Sequence, residues 1–211
     1  MAAFDLDEQE QIDALKQFWK AYGKLIMVVA LSVVVGFGGT KWWQHRQVAQ
    51  AQIASEKFNQ LETAEQDDDS DVVKDFAEEL VKNHNGTYYA DLARLKLAKT
   101  LADSSDLEEA ITVLNEIIGE SKDEILVSLA KLRLSTIFLQ LEDFDSALRV
   151  LDGDGSSSMS GLYADSRGDI YAAQGSFDMA RSFYTEALTS LPEGNPWRDI
   201  VQIKIDSIGT K

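Results

Sequence analysis

The sequence predicts an all-α protein, in which one N-terminal transmembrane helix precedes a solenoid of repeated helical hairpins. Three observations support this class. An uncharged run of 16 residues extends from Leu25 to Thr40. The 211 residues include only 2 prolines, and the chain after Val48 has helical periodicity almost throughout. Three segments of the second half also share one spacing of small and large apolar residues, which indicates an internal repeat.

The first predicted element is a membrane span over residues 22–43. A spanning helix needs roughly 20 apolar residues, so the uncharged run alone is slightly short. The flanks extend it, because Tyr22, Trp42 and Trp43 are aromatic residues of the kind that lie at the level of the lipid headgroups. A lysine at each end of the run can extend its ammonium group into the interface. The sequence therefore predicts one crossing.

Two alternatives to a retained anchor fit the pattern less well. A cleavable signal peptide has a short basic start, whereas about two dozen net acidic residues precede this run, although the GFGG step at 36–39 resembles a cleavage site. A buried core helix of this kind, with no polar face, is unusual in a small domain. We predict a cytoplasmic segment at 1–21, a transmembrane helix at 22–43 and an exported domain at 44–211.

The orientation of the span does not follow from counting charges. Three lysines lie on the amino side of the uncharged run and three basic residues follow it within about 20 residues, so the positive-inside rule gives a tie. Lys16, Lys20 and Lys24 recur at every fourth position and form one stripe on a helix, with apolar and aromatic residues around it. This pattern suits the anionic cytoplasmic leaflet, and a solvated helical approach to the membrane fits it equally well. We expect the N-terminus inside and the larger domain outside.

The composition of residues 41–211 limits the classes of partner. This part contains 17 Lys and Arg against 31 Asp and Glu, a net charge of −14. Such an acidic domain offers no basic surface for phosphates, so we expect no nucleic-acid partner. The chain has no cysteine, so no disulfide stabilises the fold and no thiol chemistry is available.

Three segments of the second half align on Ala110, Ala147 and Ala180, which lie 37 and 33 residues apart. The tetratricopeptide repeat has a period of about 34 residues and places small residues where its two helices cross. Four further positions agree in type across the copies, namely Leu107, Phe144 and Phe177; Leu114, Leu151 and Tyr184; Ala98, Ser135 and Gly168; and Leu101, Phe138 and Tyr171. Unrelated hairpins with heptad-like spacing are the alternative. The pattern predicts that the three alanines are packing positions.

The rest of the chain adds one helical pair and one helix to these copies. Residues 48–65 and 71–84 have the pattern of a further pair, which matches the repeat poorly and is typical of a divergent terminal cap. Polar loops are expected at 66–71 and 152–161, and a C-terminal helix is expected after the PEGNPW segment.

The sequence contains no pattern that predicts catalysis. His45 and His84 are the only histidines, and zinc-site, esterase and P-loop motifs are absent. The acidic residues of 67–78 have calcium-loop spacing, but Val72 occupies the position where that loop requires glycine. We therefore expect this loop to cap the next helix. We expect no enzyme activity, no catalytic residue, no cofactor and no metal.

Because no catalytic motif is present, we expect the chain to act through a surface that binds proteins. In a tetratricopeptide hairpin the first helix lines a concave groove. The pattern assigns these groove positions to Leu92, Leu95, Lys99, Leu129, Leu132, Thr136, Leu139, Leu162, Asp165 and Asp169. Exposed leucines in a groove suit extended apolar polypeptide, whereas leucines covered by a neighbouring helix are ordinary core, and the sequence leaves both alternatives open.

A stripe of small residues marks one side of the predicted span. Ser32, Gly36 and Thr40 recur at every fourth position, with Gly39 beside them. Helices associate in lipid by close backbone approach across small residues. We therefore predict that this stripe packs against a transmembrane helix of a partner.

These segments together resemble a known family. The opening EQEQIDALKQFWKAYGK, the anchor that ends in KWWQHRQ, the degenerate repeats and the terminal VQIKIDSI are similar to the YfgM family, the ancillary subunits of the bacterial SecYEG translocon. The resemblance covers essentially the whole chain. It implies a single-pass inner-membrane protein with a cytoplasmic N-terminus and a periplasmic tetratricopeptide-like domain. The partners it implies are the SecYEG translocon, the membrane-anchored periplasmic chaperone PpiD and newly exported polypeptides.

Two functions from different classes follow. The first is a non-enzymatic accessory subunit of the translocon, which assists exported proteins within a chaperone network. The second is a membrane-anchored scaffold for another envelope assembly or signalling complex, which does not contact unfolded clients. Crosslinks from the groove distinguish the two, since the first predicts nascent chains and the second a fixed folded partner.

Overall fold

The computed structural model describes residues 3–67, 69–153 and 155–209. Inside the first helix, the surroundings of the side chains at 3–10, 13–14, 26, 29–30, 33–39 and 43–44 lie outside this description. The described residues form helices and turns without any strand. The helices are α1 (Ala3–Gln66), α2 (Ser70–His84), α3 (Tyr88–Asp103), α4 (Leu107–Glu120), α5 (Glu124–Gln140), α6 (Phe144–Val150), α7 (Ser160–Ala173), α8 (Phe177–Ser190) and α9 (Trp197–Ile208), with a short 3₁₀ turn at Ser157–Met159.

The chain divides into two compact units, Met1–Gln50 and Ala51–Lys211. The first unit is the N-terminal part of α1. Its described apolar side chains are exposed, among them Trp19 at 57% and Met27 at 65%. Within the part of the chain that the structure describes, no helix combines the length and the apolar character that a membrane crossing requires. The span over 22–43 therefore stays a prediction from the sequence.

The second unit consists of antiparallel helical hairpins, as the repeat predicts. The three copies are α3 with α4, α5 with α6, and α7 with α8, and each hairpin packs against the next. Ala110, Ala147 and Ala180 are each fully buried, which confirms that they are packing positions. In the third copy, a Cβ at Gly168 would lie only 2.4 Å from Cε1 of Tyr184. The small residues therefore stand where the two helices of a hairpin cross.

The backbone at the turn of each hairpin confirms the register independently. Ser105, Glu142 and Gly175 each lie five residues before the aligned alanine, and all have positive φ, at 67°, 58° and 77°. In each turn the next amide donates back to the first helix; for example, the Asp143 amide donates to the Phe138 carbonyl at 2.9 Å. Only the third copy has glycine, the residue that adopts this conformation without strain, at that position.

The end of α1 and the helix α2 form the additional pair that the sequence predicts. Ala54, Phe58 and Leu61 of α1 are buried in one cluster with residues of α2, α3, α4 and α5. The acidic loop before α2 caps that helix, because the Asp69 carboxylate accepts a hydrogen bond from the Val72 amide at 3.2 Å. Val72 itself packs against the core, so the position that a calcium loop needs for glycine holds a core residue here.

The C-terminal helix α9 packs against α8 as a cap on the last hairpin. Val201 and Ile208 are buried with Ala180 and Tyr184 of α8. The preceding segment is held by Arg198, whose guanidinium donates to the carbonyls of Leu188 and Leu191. The helix predicted after PEGNPW is thus present and occupies the place of a further first helix.

Candidate functional site

The predicted groove residues of the first copy divide between core and surface. Leu95 is buried at 3% exposure, and Leu92 is half-buried against the same core. The side chain of Lys99 is 53% exposed, and its ammonium lies 3.7 Å from Oε1 of Glu65 and 3.5 Å from Oδ2 of Asp103. Only the lysine of this copy faces the open surface.

The second copy shows the same division. Leu132 is buried and Leu139 is half-buried in one cluster, while Leu129 packs against the larger core. Thr136 is exposed, and its hydroxyl donates to the Leu132 carbonyl at 3.0 Å. The leucines at the predicted groove positions are therefore covered by neighbouring helices, which is the second of the two alternatives that the sequence leaves open. Leu162 of the third copy joins the cluster of Leu132 and is covered in the same way.

The other two residues of the third copy are held by α9. Asp165 is 3% exposed, and its carboxylate accepts hydrogen bonds from Lys204 at 2.8 and 2.9 Å and from Nε1 of Trp197 at 2.9 Å. Asp169 accepts from Lys204 and from the Tyr184 hydroxyl, both at 2.8 Å. Burial and Asp169 together raise the pKa of the Tyr184 hydroxyl. These aspartates therefore fasten α9 to α7, a role that sequence reasoning missed.

An open cleft remains between α3 and α5, and we call it the α3–α5 cleft. It has a volume of 360 Å³. It brings together the two exposed groove residues, Lys99 and Thr136, which the repeat pattern assigned to different copies. The residues that line it are Ala98, Lys99, Ala102, Asp103, Leu114, Arg133, Thr136, Ile137 and Gln140.

Arg133 is the residue of the cleft that sequence reasoning missed. Its Nη1 donates to the Leu95 carbonyl at 2.6 Å and so joins α5 to α3. Burial lowers the pKa of the Arg133 guanidinium, while Glu65 and Asp103 act in the opposite direction, and arginine stays charged at neutral pH. The sequence feature that could have identified Arg133 is a basic residue inside the apolar run KLRLSTIF, on a helix predicted to line the groove.

The residues predicted to pack in the membrane are described only in part. The Ser32 hydroxyl donates to the Val28 carbonyl at 2.8 Å, and Thr40 is exposed. Gly36 and Gly39 belong to the positions of α1 whose surroundings lie outside the described residues. The stripe stays a prediction.

The described residues offer no arrangement for metal chemistry. Within 3–67, 69–153 and 155–209, no group of three or more His, Asp or Glu side chains is placed to hold a metal ion. Buried polar side chains in this part of the chain also have hydrogen-bond partners, since none has an unsatisfied atom. Hairpins that stack one on the next define the class of a helical repeat protein.

Comparison with known proteins agrees with this class. The family model described as a tetratricopeptide repeat-like domain matches residues 16–210. A solved structure of a MamA double mutant (MamA RS-1 ArsTM) superposes with a TM-score of 0.54 over 76% of this chain and 88% of that one, at 14% identity, and so shares the fold.

Three curated relatives carry the same name, ancillary SecYEG translocon subunit. The protein of Haemophilus influenzae is 33% identical over 89% of this chain and 92% of its own length. The Escherichia coli protein is 30% identical over 96% and 97%, and the Neisseria gonorrhoeae protein is 29% identical over 98% and 99%. The chain belongs to the family of ancillary SecYEG translocon subunits.

Proposed function

We propose that this protein is a non-enzymatic accessory subunit of the SecYEG translocon, which assists newly exported proteins in the periplasm as part of a chaperone network. Its partners in this proposal are the translocon, the chaperone PpiD and the exported chains. The observation that carries it is family membership over nearly the whole chain, together with a repeat domain that leaves an open cleft.

We propose further that the chain lies in the bacterial inner membrane. The uncharged run with its aromatic and lysine flanks supports a span at 22–43, with residues 1–21 in the cytoplasm and residues 44–211 in the periplasm. In this arrangement the α3–α5 cleft lies on the side of the membrane where exported chains emerge.

Photocrosslinking from the cleft during export tests the function. Thr136 is the position for the photoreactive residue, because it is exposed at the cleft, whereas Leu132 is buried. Thr112 is a matched control, since it is an exposed threonine on α4 whose hydroxyl also donates to the carbonyl four residues earlier. We expect crosslinks to nascent exported chains from position 136 and none from position 112.

The same experiment separates the alternative function. A membrane-anchored scaffold would give crosslinks from position 136 to one fixed folded partner, whether or not export is under way. That result would replace the chaperone proposal with the scaffold.

Lateral docking of the anchor is the second part of the proposal. The stripe of Ser32, Gly36, Gly39 and Thr40 provides the close approach that helix association in lipid requires. Gly36→Leu keeps the span apolar and adds bulk to the stripe. We expect this variant to insert normally and to recover less translocon and PpiD in mild detergent. Unchanged recovery would show that the soluble domain holds the partners and that the anchor is a tether.

A further inference from the structure

The α3–α5 cleft combines an apolar floor with two basic residues, Lys99 and Arg133. The floor consists of Ala98, Leu114 and Ile137, which are 2%, 0% and 6% exposed. The two alanines on its α3 side, Ala98 and Ala102, leave the space open because they carry only a methyl group. A volume of 360 Å³ is within the range of about 300–1,000 Å³ that is typical of ligand pockets. The cleft can therefore take an aliphatic side chain and part of the backbone that carries it.

The two basic residues of the cleft differ in their availability. Lys99 already lies near the carboxylates of Glu65 and Asp103. The guanidinium of Arg133 has five N–H donors, and its one hydrogen bond among the described residues goes to the Leu95 carbonyl. No described carboxylate lies within ion-pair distance of Arg133, and Glu65 and Asp103, which pair with Lys99, act on its guanidinium only from further away. Because Arg133 is half-buried, a carboxylate that reaches it would bind more strongly than one at an exposed arginine.

The surrounding charge restricts how acidic the ligand can be. Residues 41–211 have a net charge of −14, and Glu65 and Asp103 flank the cleft. A run of acidic residues would be repelled, whereas a single carboxylate matches the single available guanidinium.

We infer that the α3–α5 cleft binds an extended polypeptide segment in which an aliphatic side chain stands beside one acidic side chain. The aliphatic group enters over Ala98, Ala102 and Ile137, and the carboxylate pairs with Arg133. The inference rests on the proposed function, since it names the kind of segment that the cleft selects from exported chains. We assign an internal segment because a chain in transit presents many internal segments and only one C-terminus.

Peptide binding to the full chain in detergent tests the inference. The probes are short peptides of glycine and serine, acetylated and amidated, with a central Leu-Glu or Leu-Gln pair. We expect the Leu-Glu peptide to bind about ten-fold more tightly, which is the contribution of a hydrogen bond to a charged group. Arg133→Gln should remove this preference, and Lys131→Gln, which removes one positive charge from the same helix outside the cleft, should leave it intact.

A second variant tests the apolar half of the site without touching Arg133. Thr136 is exposed, so Thr136→Leu adds bulk to the cleft without disturbing the core. We expect it to weaken both peptides by the same factor and to preserve their ratio. Thermal melting of every variant verifies that the fold is intact. If Arg133→Gln loosens the hairpin, Arg133→Lys takes its place as the test, because it keeps the charge and should retain part of the preference.

Different results would overturn the binding preference, the internal segment or the proposed function. Equal binding of the two peptides to the unsubstituted chain, or a preference that survives Arg133→Gln, overturns the inference. A peptide that ends in a free C-terminal leucine and binds more tightly than the internal Leu-Glu pair, with the same dependence on Arg133, overturns the assignment of an internal segment. If crosslinks to exported chains persist while the peptide preference is absent, the proposed function stands without this inference. If neither peptides nor exported chains bind, the proposed function fails as well.

Discussion

Gly168 and Tyr184 show how closely the two helices of the third hairpin approach. A Cβ at Gly168 would lie 2.4 Å from Cε1 of Tyr184, and Tyr184 is itself buried. Gly168→Ala should therefore lower the free energy of unfolding by about 1–3 kcal/mol, as overpacking of a core does. Thermal or urea unfolding measures the change.

The matched control is another helical glycine with space around it. A Cβ at Gly119 of α4 would meet no atom within 4 Å, so Gly119→Ala should stabilise the protein by about 0.4–1 kcal/mol. Equal effects at the two positions would show that helix crossing is not what demands glycine at position 168.

The Glu65 carboxylate makes the contact between α1 and α3 depend on pH. Lys96 donates a hydrogen bond to it, and this bond lowers the pKa of Glu65 below its ordinary value, against the opposing effect of burial. A depressed pKa means that the folded state favours the charged form. The stabilisation is thus complete above roughly pH 5 and is lost as the pH falls through the folded pKa.

Glu65→Gln should lower the free energy of unfolding by about 0.5–1 kcal/mol at neutral pH. The difference from the unsubstituted chain should shrink in melts recorded at progressively lower pH, below the ordinary pKa of a glutamate, and vanish once the pH has passed below the folded pKa of Glu65. Glu62→Gln, at an exposed position of the same helix, is the control and should have little effect. A difference that persists at the lowest pH would contradict the assignment.

At the scale of the element, α9 depends on a charged contact with α7. Lys204 is the cation that balances Asp165, whose side chain is only 5% exposed. Among the described residues, Lys204→Met leaves that buried carboxylate with the Trp197 indole as its one partner, at a cost of about 1.5–3 kcal/mol. Hydrogen exchange should show α9 opening more readily, with loss of amide protection over residues 200–207.

Two further variants separate charge balance from packing. Adding Asp165→Asn to Lys204→Met removes the unpaired charge and should recover part of the protection. Ile203→Ser, at a position of α9 that is 67% exposed, should leave protection unchanged. If Lys204→Met alone has no effect on exchange, apolar packing against α8 is sufficient to hold α9.

At the scale of the whole molecule, the core of the second unit predicts an autonomous domain. Among the described residues, the buried apolar side chains begin at Ala54. A fragment of residues 51–211 should therefore be helical and melt cooperatively, with a midpoint within a few degrees of the full chain. Circular dichroism measures both. A fragment without a cooperative transition would show that the N-terminal unit is needed for folding.

The predicted anchor leads to a separate prediction, namely on which side of the membrane the larger domain lies. Protease added to spheroplasts should digest the domain after Gln47, because the flanks of the uncharged run indicate a retained span. Intact cells, with the outer membrane closed, are the control and should protect the domain. A mature protein that begins near Gly39, or a domain accessible only from the cytoplasm, would contradict the prediction.

The sequence by itself determined the class of fold and the register of the hairpins. Ala110, Ala147 and Ala180 recur at nearly constant spacing because every hairpin requires a small residue where its two helices cross. The pattern of residues within one hairpin is sufficient to reveal this requirement. The same local reasoning placed α2 and α9, since each has its own helical pattern and polar boundary.

Only the tertiary structure decided which groove positions are open. The repeat pattern identifies the face of a helix, but it does not say what covers that face, so Leu95 and Lys99 looked equivalent until neighbouring helices buried the first and left the second exposed. Arg133 bonds to a carbonyl 38 positions away, and Lys204 pairs with a carboxylate 39 positions away. These contacts depend on how one hairpin stacks on the next, and a stacking geometry is set by whole helices rather than by the spacing of residues along one of them.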